Sequence, residues 1–115
     1  MTKSKTKQQC DKLLTPIVIK LHPKCLLCNM PSQVAHHHCH KSKSLALRHD
    51  LKNLIPLCHS CHLKLHWDES YWGSKVRDIM GKAWFSYIEK QKQVTVRYPD
   101  YNAIYERLDK LLKSL

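Results

Sequence analysis

The chain has very little glycine and phenylalanine and no long apolar run. Only 2 Gly and 1 Phe occur among its 115 residues, so nothing indicates a glycine-rich phosphate-binding loop or a β-sandwich. No apolar run approaches the length of about 20 residues that a membrane-spanning helix needs. The first residues also lack the pattern of a signal peptide. We therefore expect a small cytoplasmic protein that has no membrane association.

Acidic residues are also scarce. Nine Asp and Glu stand against 20 Lys and Arg, which gives a formal net charge of +11. A field of this strength on a short chain indicates a polyanionic partner. The first residues include Lys3, Lys5 and Lys7 and show no apolar periodicity, which predicts a flexible basic arm. The predicted divisions are this arm, a folded core and a helical extension packed on the core, at residues 1–12, 13–68 and 69–115.

Four of the six cysteines form two C-x2-C pairs. The pairs are Cys25 with Cys28 and Cys58 with Cys61. Thiols stay reduced in the cytoplasm, where such pairs are typical of metal ligation rather than of disulfides. Two C-x2-C turns complete a tetrahedral zinc shell and leave no position for water or substrate. The pattern therefore predicts a structural zinc site that takes no part in catalysis.

Two histidines follow the second pair at helical spacing. His62 and His66 are one turn apart on a predicted helix, so both imidazoles can bind one ion from the same face. A zinc peptidase would carry Glu directly after the first histidine, where this chain has Leu63. A zinc finger with two cysteine and two histidine ligands would separate the two pairs by about twelve residues, and that loop is missing. These histidines are therefore available for other chemistry.

Three consecutive histidines, His36, His37 and His38, precede the second cysteine pair. Side chains alternate along a strand, so His36 and His38 are predicted to share one face while His37 takes the other. One ring could bind a metal ion while its neighbour deprotonates a water molecule, because a neutral imidazole titrates near pH ~6.5. Taken alone, the run fits equally a solvated polar strand or part of a zinc shell.

The periodicity of the apolar residues predicts an α+β fold. The second and third predicted strands form a hairpin with a long basic tip, and the first leads into the first cysteine pair. Three tryptophans, Trp67, Trp72 and Trp84, have apolar neighbours and are predicted to pack in the core rather than to stack on bases. The predicted strands cover residues 15–21, 33–38 and 53–57, and the predicted helices cover 59–67, 68–91 and 100–115.

These motifs occur in the order of a known family. The run Cys-x2-Cys, then Ala35-His36-His37, then Asn53-Leu54-Ile55-Pro56-Leu57-Cys58-x2-Cys61-His62-x3-His66 closely resembles the HNH endonucleases. The resemblance covers about residues 25–66 and is strongest to the zinc-stapled subset, which includes small phage-encoded nucleases. It implies a ββα-metal (His-Me finger) core, in which a β-hairpin and a helix hold one catalytic divalent ion. A four-cysteine zinc site would staple this core, and C-terminal helices would follow it.

The resemblance also implies roles for individual residues. His37 falls on the general-base position, and Asn53 falls on the asparagine that braces the loop carrying the base. His38 stands where an aliphatic residue is usual, so His37 and His38 could exchange roles. The spacer from His37 to Asn53 lacks the glycine-rich turn common in the family. The implied ligands of the catalytic ion are His36, His62 and His66.

The implied reaction is metal-assisted hydrolysis of phosphodiester bonds in double-stranded DNA, by nicking or by double-strand cleavage. The family implies Mg²⁺ as the catalytic ion, although histidine ligands also accept Mn²⁺, Ni²⁺ or Zn²⁺. The protein would act as a monomer or homodimer, for example in the cytoplasm of a phage-infected bacterial host. The alternative is a non-catalytic, zinc-stabilised nucleic-acid-binding protein. Basic residues of the hairpin tip are predicted to contact phosphates without reading bases, namely Lys41, Lys43, Arg48 and Lys52.

Overall fold

The structure is a computed structural model that describes residues 4–115. Within this range, six α-helices and one two-stranded antiparallel sheet form an α+β fold. None of the described helices is long and apolar enough to cross a membrane. In chain order the elements are α1 (Lys7–Leu21), β1 (Val34–His37), α2 (Leu45–Arg48), β2 (Leu54–Leu57), α3 (His59–Trp67), α4 (Glu69–Met80), α5 (Lys82–Lys92) and α6 (Tyr101–Ser114).

The two strands and the helix that follows them bring the predicted site residues together. Strand β1 pairs antiparallel with β2, in the register Val34 to Leu57 and His37 to Leu54. A 3-10 turn, Leu51–Asn53, leads into β2, and only Cys58 separates β2 from α3. The predicted helix at 59–67 is confirmed, and the predicted strands at 33–38 and 53–57 are present as the slightly shorter β1 and β2. The order strand, strand, helix places β1 next to the start of α3.

The first helix replaces both a predicted strand and half of the predicted arm. Residues 15–21 form the end of α1 rather than a strand, and residues 7–12 form its beginning. The side chains of Thr6 and Gln9 make a capping box at its start, a signal that the sequence already carried. Burial of Leu14 and Ile17 along one helical face outweighs the β-branched residues and the internal proline, Pro16. Of the predicted arm, residues 1–3 lie outside the described part of the chain.

The long helix predicted over residues 68–91 is two helices. Gly81 separates α4 from α5 and has a φ of 91°, a conformation that costs little for glycine and more for other residues. Asp68 caps α4 through a hydrogen bond from the Tyr71 N–H. The prediction was wrong because the apolar repeat continues across Gly81, although a glycine after such a repeat is a common helix stop.

The C-terminal helices cover the core on two sides. Helix α6 is capped by Asp100, the residue at its predicted start, and packs against α1, where Leu108 joins the buried Leu14 and Ile17. Helix α4 packs against α3 through Val76, beside Leu65 and Ile55. Helix α5 packs on α2, where Ile88 and Leu47 are fully buried. The strands and α3 are thus held between α1 with α6 and α4 with α5.

Candidate functional site

The four cysteines of the two C-x2-C pairs form one cluster. Their sulfur atoms all lie within 4.8 Å of one another, and Cys28 Sγ lies 3.5 Å from Cys58 Sγ. Four thiolates at a zinc–sulfur distance of about 2.3 Å place the sulfurs of a tetrahedral site roughly 3.8 Å apart. The cluster therefore fits a bound metal ion such as zinc, as the sequence predicted.

Local backbone structure aims the cysteines at one point. In the first pair, the Asn29 N–H donates to the Cys25 carbonyl at 3.0 Å, and Asn29 has a φ of 65°, which asparagine tolerates. In the second pair, Cys58 precedes α3, and its sulfur accepts a hydrogen bond from the Cys61 N–H. The Leu26 N–H donates to the Pro56 carbonyl at 2.9 Å, which ties the first turn to β2.

The thiol of Cys25 is poised to ionise. Burial would raise its pKa, but backbone N–H groups, first that of Cys58, outweigh this effect and lower the pKa of Cys25 to about 7. Burial and the neighbouring thiols raise the pKa of Cys61. Cys25 therefore ionises easily, whereas Cys61 resists ionisation. A bound divalent cation would favour the ionised form of both, because thiolates are the metal-binding form.

A second group of ligand-type side chains lines an adjoining cleft of about 310 Å³, which we call the histidine cleft. The His36 ring of β1 and the His62 ring of α3 have centres 5.2 Å apart, and the His62 and His66 rings have centres 5.4 Å apart. Two imidazoles that ligate one ion at about 2.1 Å have ring centres roughly 5 Å apart. The ionisable residues that line the cleft are Asp11, His36, His37, His40, Lys41, His62 and His66.

The histidine cleft is more open than the cysteine cluster. Among residues 4–115, only the four cysteines bring three or more ligand atoms within 4.8 Å of one another. His36, His62 and His66 approach in pairs and would need ring rotations to converge on one ion. Burial, and then the neighbouring His62, lower the pKa of His36 to about 4. Burial also lowers the pKa of His62, so both rings are neutral ligands at neutral pH.

The His37 ring has a defined tautomer. Its Nε2 lies 2.9 Å from the backbone carbonyl oxygen of Arg48. A carbonyl oxygen can only accept, so Nε2 carries the proton and donates, which leaves Nδ1 with a free lone pair. Burial lowers the pKa of His37, and the Arg48 carbonyl opposes this effect by favouring the protonated ring. The ring is therefore neutral at neutral pH and able to accept a proton through Nδ1.

Asn53 holds the segment between the two strands in place. Its side chain is fully buried. Its amide nitrogen donates to the Cys39 carbonyl at 3.0 Å and to the Leu47 carbonyl at 3.2 Å, and its amide oxygen accepts from the Cys39 N–H at 2.8 Å. These three bonds fix both ends of the residues that connect His37 to α2. This geometry is what a bracing asparagine requires, because every polar atom of the buried amide has a partner.

Arg48 does not occupy the position expected of a phosphate ligand. Its side chain is buried and makes two hydrogen bonds with the Asp11 carboxylate, at 3.0 and 2.5 Å. Asp11 also accepts from His49 Nε2 at 2.8 Å. The guanidinium is therefore used to join α2 to α1, and its predicted phosphate contact is a wrong prediction. The Arg48–Asp11 pair instead holds Arg48 in place, and with it the backbone carbonyl that accepts a hydrogen bond from His37.

His38 does not share a face with His36, because β1 ends at His37. The His38 ring lies against Trp84 of α5, with ring centres 4.7 Å apart. It faces a different depression, shared with Lys43, and does not line the histidine cleft. The predicted common face is therefore wrong. Of the two candidate bases, His37 is the one beside the other cleft histidines.

The remaining predicted phosphate ligands are spread over the surface. Lys41 lines the histidine cleft. Lys43 lines the neighbouring depression beside His38. The Lys52 ammonium lies 4.5 Å from the centre of the Tyr87 ring, on the side of the molecule that faces α5. Lys41 is thus the residue of this set best placed to meet a phosphate at the histidines.

Two residues with potential roles were missed by sequence reasoning. Asp11 carries no local signal, because its partners lie on α2 and just after it, far along the chain. Trp67 is 79 % exposed, contrary to its predicted place in the core. A helical projection of α3 could have shown this, because Cys61 and Leu65 define the buried face and Trp67 lies off it. Trp72 and Trp84 are half-buried and pack against the core, as predicted.

Comparisons of the chain with known proteins give no relative. No family model, no curated protein and no solved structure matches it. The features of the chain that bear on function are the cysteine cluster, the histidine cleft and the residues that orient His37.

Proposed function

We propose that the protein is a metal-dependent DNA endonuclease of the HNH type with a zinc-stapled ββα-metal core. The observation that carries the proposal is the His37 ring, which is neutral, held in one tautomer and placed beside three possible metal ligands. A nuclease of this kind needs a proton acceptor next to an electrophilic ion, and in this cleft His37 lies beside histidines that could hold such an ion. The positive charge of +11 supports a polyanionic substrate.

Two sets of residues would bind two metal ions with different roles. His36 of β1 and His62 and His66 of α3 would hold the divalent ion, whose positive charge would offset charge that develops on the phosphate. Neutral imidazoles suit several ions, and Mg²⁺, Mn²⁺, Ni²⁺ and Zn²⁺ are all candidates. Zinc on the four cysteines would staple the start of β1 to the start of α3, with no open position for chemistry.

His37 would act as the general base. Nδ1 is the free nitrogen, so it accepts the proton of the attacking water, while Nε2 stays bonded to the Arg48 carbonyl. This bond stabilises the imidazolium that results, because the N–H of a charged ring donates more strongly to the carbonyl oxygen than that of a neutral ring. Lys41 lies at the same cleft and would bind the phosphate, and the buried Asn53 would keep the loop of the base from shifting.

Nicking of supercoiled plasmid in the presence of Mg²⁺ or Mn²⁺ tests the proposal. We expect the wild-type protein to convert the plasmid to nicked or linear forms and His37→Ala to lose about 10²–10⁴-fold in rate, since a general base contributes that much. The matched control is His22→Ala, which removes an exposed histidine outside the cleft and should cleave at the wild-type rate.

Two outcomes would refute the proposal. In the first, neither the wild type nor the variant cleaves with Mg²⁺ or Mn²⁺, whereas DNA binding is retained; this would favour a zinc-stabilised binding protein. In the second, His37→Ala cleaves as fast as the wild type, which would show that the base is another group.

A further inference from the structure

Trp67 is exposed beside the histidine cleft. It is 79 % exposed, and among the large apolar and aromatic side chains of residues 4–115 only Tyr98 is more so. An indole ring contributes a large apolar area that folding normally buries, at least in part. Trp72 and Trp84 follow this rule, and the Trp84 Nε1–H donates to the Lys52 carbonyl at 2.7 Å. Trp67 therefore differs from the other two tryptophans of the chain, which are packed against the core.

The position lies next to the proposed ligands. Trp67 directly follows His66 in α3, and Leu63, which is 48 % exposed, lies one helical turn before it. Leu63 and Trp67 therefore share a face that runs beside the face of His62 and His66. We call this pair the apolar stripe.

Helix α3 holds the stripe rigidly. Cys61 and Leu65, on its opposite side, are buried in the core. The helix also begins at Cys58, which belongs to the four-cysteine cluster. The indole is thus presented to solvent from a firmly packed helix.

A nucleobase fits this surface better than another protein chain does. Two side chains can bury at most a few hundred Å² against a partner, whereas a stable interface buries about 800 Å² on each side. Charge also favours a polyanion: Lys64 lies between Leu63 and Trp67 in α3, and the chain has a formal net charge of +11. Aromatic rings among basic residues are the combination that binds unpaired nucleic acid strands.

We propose that Trp67 stacks on an unpaired base and that the preferred substrate is DNA with a single-stranded segment at the site of cleavage. In a duplex, both faces of each base are covered by its neighbours, so an exposed indole finds no free face to stack on. An unpaired nucleotide offers such a face, and its phosphate then lies near His62 and His66. This inference rests on the proposed nuclease function for the cleavage step and not for the binding step. It replaces the duplex substrate that the sequence resemblance implies.

Binding can be tested without cleavage, in a buffer that contains no added divalent ion and no chelator. The probes are a fluorescently labelled oligo(dT) and a hairpin duplex of the same charge. We expect Trp67→Ala to weaken binding of oligo(dT) by about tenfold to a hundredfold, the worth of one stacked base, and to leave duplex binding unchanged. Trp67→Phe retains an aromatic face and should recover part of the affinity. Tyr98→Ala removes an even more exposed aromatic ring far along the chain and should change neither affinity.

The outcomes separate this inference from the proposed function. If oligo(dT) binding falls in Trp67→Ala but the wild type cleaves no DNA, stacking stands and the nuclease proposal fails. If plasmid is cleaved but Trp67→Ala binds oligo(dT) and duplex as the wild type does, the nuclease stands and stacking is refuted. Equal losses on both probes, or a change of oligomeric state in gel filtration, would also refute it. A melting temperature equal to that of the wild type, expected for so exposed a side chain, shows that the variant is folded.

Discussion

The cysteine cluster and the histidine cleft are built on the same short stretch of chain, but their surroundings differ. Cys61 and His62 are neighbours in α3, yet Cys61 is buried among apolar residues and His62 faces an open cleft. In the cluster, four sulfurs converge within 4.8 Å. In the cleft, the rings of His36, His62 and His66 approach one another without closing a shell, and the ring of His37 is hydrogen-bonded to a carbonyl. A closed shell can only stabilise the fold, whereas an open one leaves room for water and a phosphate.

Breaking the cysteine cluster should have the largest effect. We expect Cys58→Ser to abolish cooperative folding, because a structural zinc ion contributes about 10–16 kcal/mol in small zinc-binding peptides and no other ligand can replace the thiolate. Thermal unfolding followed by circular dichroism, with zinc content measured on the same sample, would show this. The matched control is Cys10→Ser, which alters a buried thiol outside the cluster and should leave zinc bound. A folded Cys58→Ser protein with normal melting would mean that the cluster is dispensable.

Breaking the histidine cleft should remove activity and leave the fold. We expect His62→Ala to melt like the wild type but to lose more than about 100-fold in nicking rate, because removal of an outer-shell partner of a metal ligand alone costs about 10- to 100-fold. Titration with Mn²⁺ in a calorimeter should show that a binding site present in the wild type is lost. His59→Ala, an exposed histidine on the same helix, is the control. If His62→Ala unfolds, the histidine cleft stabilises the fold as the cysteine cluster does, and the proposed difference between the two sites is wrong.

A smaller effect is expected from Asp11, which supports the cleft from α1. Asp11→Asn leaves the buried Arg48 guanidinium without its charge partner, so we expect a loss of about 3 kcal/mol in the free energy of unfolding. Chemical denaturation measures it. Asp109→Asn breaks an exposed pair with Lys113 and should cost far less, because solvent screens that pair. A cost for Asp11→Asn no larger than this would show that the pair does not stabilise the fold.

The same variant carries a pH signature. Burial opposes ionisation of Asp11, but its bonds with Arg48 and then His49 outweigh burial and lower its pKa below the ordinary value of 3.8. The group therefore contributes fully to stability above pH 3.8, and the contribution is lost as the pH falls through the lower pKa of the folded state. The difference in stability between wild type and Asp11→Asn should accordingly be constant near neutral pH and shrink below pH ~4.

Parts of the fold could be read from the sequence because their signals are local. The strands β1 and β2 and the helices α3 and α6 match apolar periodicity and capping residues, for example Asp100 at the start of α6. The region of Thr15–Leu21 misled the prediction, because its β-branched residues favour a strand in isolation. Its helix forms because Ile17 and Val18 are buried against α6, a contact between the two ends of the chain. Propensity is a weak signal when burial of this kind opposes it.

Among the basic residues of the hairpin tip, sequence could place Lys41 but not Arg48. Lys41 could be placed near the histidines from its position just after β1. Arg48 could not, because a guanidinium that contacts phosphate and one that is buried against a carboxylate look alike in sequence. Arg48 is buried because it pairs with Asp11 of α1, and the sequence predicts the first half of that helix as part of a flexible arm.

The sequence by itself determined which chemistry the protein can hold. Spacing within the chain sets two cysteine turns and a helical histidine pair, since these geometries depend on a few consecutive residues. Only the tertiary structure decided which groups meet and in what state. It places His36 beside His62, gives His37 its tautomer through the Arg48 carbonyl, and leaves Trp67 in solvent. These features depend on burial and on contacts between distant segments, and no short stretch of sequence contains either.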